Sequence, residues 1–199
     1  MINTIFFDIG GVLLNIYPER TVEYLSTFTG LSRQAILDSF PEEAHHKYEK
    51  GLLSDEEFFY AAKQELSTAN GLTSNKFWNA WSMMVGEKTE VADIINELAD
   101  DYSIWLLSNT NSYHIINEKR LDLFPEIDGA IYSYEIGARK PEKEIFKKAL
   151  KISKAEAEHS LFIDDLLENV EAARAMNFKA IQFVSFNDLK QKLINFGIM

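Results

Sequence analysis

The sequence predicts an α/β protein, with a parallel sheet covered on both faces by helices and a block of helices inserted after the first strand. Two observations carry this expectation. Short, almost wholly apolar β-type runs recur with amphipathic stretches between them, as strands buried on both faces should. The alternation breaks once, between Asp8 and Ile104, where helical patterning continues with almost no strand signal.

Strands are expected at Thr4–Asp8, Ile104–Ser108, Ala130–Tyr134, Leu161–Asp165 and Lys179–Val184. The later helices are expected near Pro141–Lys151, Leu167–Asn177 and Asn187–Phe196, with Pro141 suited to a first helical position. Inside the interruption, Glu19–Phe28, Ser32–Phe40, Ser54–Leu66 and Ser74–Met83 read as helices, and Thr89–Ala99 as a helix returning to the sheet. Ser32 stands at an N-cap position, and Ser54 with Glu57 has capping-box spacing. The division expected is a core of residues 1–15 plus 88–199 and a helical cap of residues 16–87, placed as a lid over the end of the first strand.

The chain has 199 residues, 46% hydrophobic, which suits one domain carrying an insertion. Its 20 Lys and Arg against 31 Asp and Glu leave a formal charge of −11, which repels nucleic acid and anionic lipid. A phosphate-binding site must therefore create its own local positive charge. With no cysteine, disulfides, thiolate catalysis and zinc–cysteine sites are excluded. The amino-terminal apolar run is interrupted at Asp8 with no preceding Lys or Arg, unlike a signal peptide, and no run reaches transmembrane length. A soluble, cytoplasmic protein is expected, with no nucleic-acid or membrane partner.

Four predicted strand ends carry reactive groups. Asp8 follows the first strand on a glycine turn, Gly10-Gly11, at the carboxyl edge where ligands of open α/β sheets bind. A carboxylate there serves as covalent nucleophile, as Mg²⁺ ligand, or simply as a turn cap. Ser108-Asn109 offers a hydroxyl and turn N–H groups suited to a phosphoryl oxygen, or a helix cap. Lys140 is expected just outside a helix start, where a cation is out of place unless an anion is bound. Asp164-Asp165 pairs two carboxylates that a divalent cation would reconcile, with Asn169 one turn on to orient a metal-bound group.

In this order the four ends resemble the motifs of the haloacid dehalogenase-like superfamily, in its capped phosphatase branch. Asp8-Ile9-Gly10-Gly11-Val12-Leu13 looks like its first motif, Leu107-Ser108-Asn109 its second, and Arg139-Lys140-Pro141 its third. Phe162-Ile163-Asp164-Asp165 with Asn169 looks like its fourth. The resemblance implies a Rossmann-like core with a small helical cap, and a Mg²⁺-dependent phosphatase acting on a small phosphorylated metabolite such as a sugar phosphate. It implies Asp8 as nucleophile and Ser108, Asn109 and Lys140 as phosphate-binding residues. The metal would be held by Asp8, the Gly10 backbone carbonyl, Asp165 and Asp164, with Asp165 the principal acid of the pair and Asn169 behind them.

The chain departs from the pattern at Gly10, where the family usually has a second aspartate as general acid and base. An Asp-x-Gly first motif resembles a subgroup that includes sugar-phosphate phosphatases. His45 and His46, or Tyr17 and Arg20, are the candidates for supplying the missing proton transfer. The alternative reading is a homologue that binds a phosphorylated metabolite or protein partner without efficient turnover. Dehalogenation is disfavoured because its metal-free site has no use for paired acids, and phosphomutase chemistry because it needs the absent acid/base.

Overall fold

The computed structural model describes residues 1–66, 71–117 and 127–199. The chain opens with strand β1 (Thr4–Phe7), a glycine loop and the short strand β2 (Leu14–Ile16). Five helices follow: α1 (Pro18–Thr29), α2 (Arg33–Asp38), α3 (Glu42–Glu49), α4 (Asp55–Glu65) and α5 (Ser74–Ser82). Strand β3 (Val85–Lys88) and helix α6 (Val91–Ala99) lead back to β4 (Ser103–Ser108) and a π-helical turn, Tyr113–Asn117. The remainder is β5 (Gly129–Tyr132), α7 (Ser133–Ile136), α8 (Lys143–Ser153), β6 (Ser160–Asp164), α9 (Leu167–Ala175), β7 (Lys179–Gln182) and α10 (Phe186–Asn195).

The main sheet is wholly parallel, in the order β5-β4-β1-β6-β7. The chain builds outward from β1 on one side through β4 and β5, then crosses to build β6 and β7 on the other. The carboxyl end of β1 is therefore the switch point, where such sheets form a crevice. The pleat divides its apolar residues between two cores. Ile5 and Phe7 pack with Ile95 and Leu98 of α6 and Leu189 and Leu193 of α10. Phe6 faces the opposite layer, with Ile145 and Phe146 of α8 and Val170 and Ala173 of α9.

Helices α1–α5 share a third buried cluster, rich in rings: Tyr48, Phe58, Phe77, Trp78 and Trp81 around Leu25 and Ile36. Local signals set their starts. The Ser32 hydroxyl accepts from the Ala35 N–H, and Ser54 and Glu57 form a complete capping box.

Three features differ from expectation. Strands β2 and β3 pair antiparallel and join the helical insertion to the core; three and four residues are too short for alternation to register. Helix α3 and the short α7 also lack a sequence-level signal. Third, Pro141 does not begin a helix. Residues 139–142 form a turn closed by the Glu142 N–H on the Arg139 carbonyl (2.9 Å), and α8 starts at Lys143 with Glu142 as N-cap. That turn directs Lys140 inward rather than leaving it outside a helix end. Among the described residues no helix is long and apolar enough to cross a membrane.

Candidate active site

Asp8 continues the line of β1, its N–H donating to the Ile163 carbonyl of β6 at 2.9 Å. The chain then curls back tightly. The N–H groups of Leu13 and Leu14 donate to the Ile9 carbonyl, and that of Gly11 to the Leu14 carbonyl. Gly11 adopts φ 78°, a left-handed conformation that favours glycine. The Ile9 N–H donates to Asp8 Oδ1 at 2.7 Å, which fixes the carboxylate at the rim of the loop.

Lys140 is 1% exposed and lies at the centre of the site. Its ammonium is 2.8 Å from Asp8 Oδ1, 2.7 Å from Asp164 Oδ2 and 2.8 Å from the Leu107 carbonyl. Three acceptors therefore meet the three donors an ammonium possesses. Those carboxylates hold the Lys140 pKa above its ordinary value, although burial opposes the charge. Burial pushes the Asp8 carboxyl up to about 7, with Asp164 and Asp165 adding to it and Lys140 opposing. Burial and then Asp164 also raise the Asp165 carboxyl.

The paired acids have different surroundings. Asp164 is fully buried and both its oxygens are occupied. Oδ1 accepts from the Leu166 N–H and from Asn169 Nδ2, and Oδ2 from Lys140 and again from Asn169 Nδ2. Asp165 is half-buried, lines the cleft and lies against Gly11. Asn169 is 2% exposed, and its Oδ1 has no partner among the described residues.

Ser108 ends β4, 3% exposed, with its hydroxyl making only a long 3.4 Å bond to the Asn109 carbonyl. The Asn109 side chain is occupied otherwise. Its Nδ2 donates to the Lys140 carbonyl at 2.9 Å and its Oδ1 accepts from the Lys140 N–H at 2.8 Å. This amide clamps the loop that presents Lys140.

One cleft of about 320 Å³ joins these groups to the helical insertion. Asp8, Gly10, Ser108, Asn109, Lys140, Asp165 and Asn169 line its floor, whereas Asp164 lies beneath it. The opposite wall carries His45, Glu49 and Trp81. Of the candidates for proton transfer, His45 faces this cleft, in a cage of Phe40, Phe58 and Trp81 rings. His46 is turned outward beside Glu42. Tyr17 and Arg20 stack on each other at the surface, with the Tyr17 hydroxyl on Glu87, and neither lines the cleft.

Glu49 and Arg139 escaped the sequence reading as a pair. Arg139 Nε donates to Glu49 Oε2 at 2.8 Å across the seam between α3 and the Lys140 turn. The available signal was the four-residue spacing of His45 and Glu49, which puts both on one helical face.

The residues present fit a divalent cation. Oxygens of Asp8, Asp164 and Asp165 come within 4.8 Å of one another. When all three carboxylates are ionised, only one of their charges is matched by the Lys140 ammonium, and a divalent ion neutralises the other two. The unpartnered Asn169 Oδ1 is a further acceptor beside them.

Comparison with known proteins shows the family and the fold. A family model of haloacid dehalogenase-like hydrolases matches residues 2–177. The chain is 28% identical to a D-ribitol-5-phosphate phosphatase of Bacteroides thetaiotaomicron, over 97% of each. It is 25% identical to a sesquiterpene phosphatase of Aspergillus oryzae, over 85% of this chain and 84% of that one. In fold it is similar to a haloacid dehalogenase-family enzyme from Bacteroides thetaiotaomicron solved with magnesium and inorganic phosphate. The TM-score is 0.82 at 24% identity, covering 95% of this chain and 99% of that one. With three motif-bearing strand ends and the Lys140 turn gathered at one sheet edge, this chain belongs to the haloacid dehalogenase-like hydrolase family.

Proposed function

We propose that this protein is a Mg²⁺-dependent phosphatase of small phosphomonoesters, sugar phosphates or similar metabolites, acting through an aspartyl-phosphate. The observation that carries this reading is the cluster of Asp8, Asp164 and Asp165 around Lys140, at the floor of a cleft walled on its far side by the insertion. Relatives named as phosphatases of small phosphorylated molecules support it.

In this reading Asp8 attacks phosphorus in line, the bond from phosphorus to the alcohol oxygen breaks, and the alcohol leaves. Water then cleaves the aspartyl-phosphate and returns the carboxylate. Asp8, Asp165 and the Gly10 carbonyl are the groups that would hold Mg²⁺. When bound, the ion supplies charge neutralisation at the phosphoryl group. Lys140 contributes its positive charge beside the phosphoryl group, whose oxygens the Ser108 hydroxyl and the Asn109 backbone steady. Asp164 acts through Lys140, holding the ammonium in place, and Asn169 through Asp164. Residues 16–87 act as a lid that excludes bulk water and reads the organic half of a metabolite-sized substrate.

One observation favours a second reading. Gly10 places no side chain where the family's acid/base stands, so a homologue that binds a phosphorylated ligand with little turnover is the alternative. An assay with p-nitrophenyl phosphate separates the two, because phenolate leaves without an acid. Mg²⁺-dependent phosphate release that is lost with EDTA and in Asp8→Asn supports the phosphatase. Release no faster than in the Asp8→Asn variant would sink it.

A further inference from the structure

Two cavities meet at Trp81. One is the catalytic cleft; the other, of about 260 Å³, is lined by Leu25, Ile36, Phe58, Phe77, Trp81 and Met84 within the insertion. The first mixes charged and polar groups with apolar ones, and the second is lined almost wholly by apolar side chains. The insertion supplies part of the wall of the catalytic cleft, with His45, Glu49 and Trp81.

Glu49 is 7% exposed in that wall. Its Oε2 is held by Arg139 Nε at 2.8 Å, which fixes the carboxylate plane. Its Oε1 lies 3.8 Å from His45 Nε2. That gap is too long for a hydrogen bond. It is, however, the separation that one intervening oxygen bridges, lying about 2.8 Å from each atom. An alcohol hydroxyl is the group that can donate to a carboxylate while still offering lone pairs to a ring N–H.

Burial among Phe40, Phe58 and Trp81 lowers the His45 pKa, so the ring is neutral and has one nitrogen to donate and one to accept. The Trp81 ring lines the same wall, and its indole N–H is buried without an acceptor among the described residues. A buried N–H left without a partner is costly against water, and together with the cleft-lining Glu49 carboxylate it favours a ligand that can hydrogen-bond to both.

We infer that Glu49 and His45 form a hydroxyl-reading subsite, and that the substrate is a phosphomonoester of a polyhydroxylated alcohol, a polyol or aldose phosphate. This rests on the phosphatase reading and specifies its substrate class. Arg139 is a positioning residue in it: through Glu49 it ties the subsite to the turn that carries Lys140.

The test is a selectivity ratio: kcat/KM for ribitol 5-phosphate divided by that for n-pentyl phosphate, which keeps the five-carbon chain and lacks the hydroxyls. Wild type is expected to show a ratio of about 100 or more, because a site built around a hydroxyl rejects the analogue without one. Glu49→Gln and His45→Phe should each collapse that ratio by about tenfold or more. His45→Phe keeps a ring in the cage, so the test survives if Glu49→Gln folds poorly. A wild-type ratio near one overturns the inference. So do variants that slow both substrates equally, the signature of a merely structural seam. Preference for geranyl phosphate over ribitol 5-phosphate would also overturn it and assign the apolar cavity instead. The phosphatase reading stands in all three cases, since it fails only if Asp8-dependent release from p-nitrophenyl phosphate is absent.

Discussion

Gly11 and Asp165 approach each other more closely than any side chain on Gly11 would permit: a Cβ built there would lie 2.5 Å from Asp165 Oδ2. The glycine has two reasons to be glycine, the left-handed φ of 78° and the carboxylate seated where its side chain would be. Gly11→Ala is therefore expected to displace Asp165 and to cost about 1–3 kcal/mol in the backbone. The Mg²⁺ concentration for half-maximal activity should rise along with the fall in Tm. A variant that loses stability alone would remove Asp165 from the metal site.

The two adjacent acids should fail differently. Asp165→Ala removes a cleft-facing carboxylate and is expected to raise the Mg²⁺ requirement with little change in Tm. Asp164→Ala leaves the 1%-exposed Lys140 short of one partner and is expected to destabilise the fold by about 3–5 kcal/mol. Urea unfolding and a Mg²⁺ titration on both variants check this. A reversed order, with the larger Mg²⁺ effect at Asp164, would refute the assignment.

Asp8→Asn should abolish turnover, to below about 1% of wild type, while the fold persists. Burial already pushes the Asp8 carboxyl up to about 7, so the charge is poorly accommodated in the metal-free protein. The neutral isostere should therefore melt at the same temperature or higher, a trade of stability for activity. Thermal melts in EDTA beside phosphate-release assays measure both halves.

Gly10 should make the rate depend on the leaving group. Aryl phosphates and anomeric sugar 1-phosphates should outperform glycerol phosphate, because acid assistance matters most for basic leaving oxygens. A Cβ on Gly10 would meet Ile16 Cγ1 at 3.3 Å, so Gly10→Asp requires a small shift of that flexible side chain. If it is accommodated, the gap between the two substrate classes should narrow by about tenfold. Equal chemical rates in the wild type would show that another residue supplies the proton, with His45 the first to test.

His45 sets a pH dependence of stability. Its folded pKa lies below the ordinary 6.5, chiefly through burial, with Glu49 opposing. On acidification the unfolded chain takes up this proton first. The contribution of His45 is thus complete above about pH 6.5 and is lost as pH falls through that value towards the folded pKa. His45→Phe should lose less stability between pH 8 and pH 5.5 than wild type does in urea unfolding. Parallel losses would show that the ring titrates normally.

The sequence by itself determined the order of the main-sheet strands and the longer helices, because apolar runs with period-2 or 3.6 patterning are local properties that burial selects. It determined the chemical inventory too: an acid, a hydroxyl and paired acids at strand ends that a parallel sheet brings to one edge, and a lysine in the segment after a fourth strand. The helix starts at Ser32 and Ser54 were legible because a cap is a contact within four residues. Tertiary structure alone decided how those groups are used. Asp164 and Asp165 are identical in sequence terms, yet one lies beneath the cleft against Lys140 and the other lines it beside Gly11. The Asn109 side chain clamps Lys140 from 31 residues away, and Pro141 lies inside a turn rather than at a helix start. Glu49 meets Arg139 across 90 residues. Such pairings depend on the register of distant elements, which no local pattern encodes, and they decide which carboxylate faces the cleft and which is buried to hold a lysine.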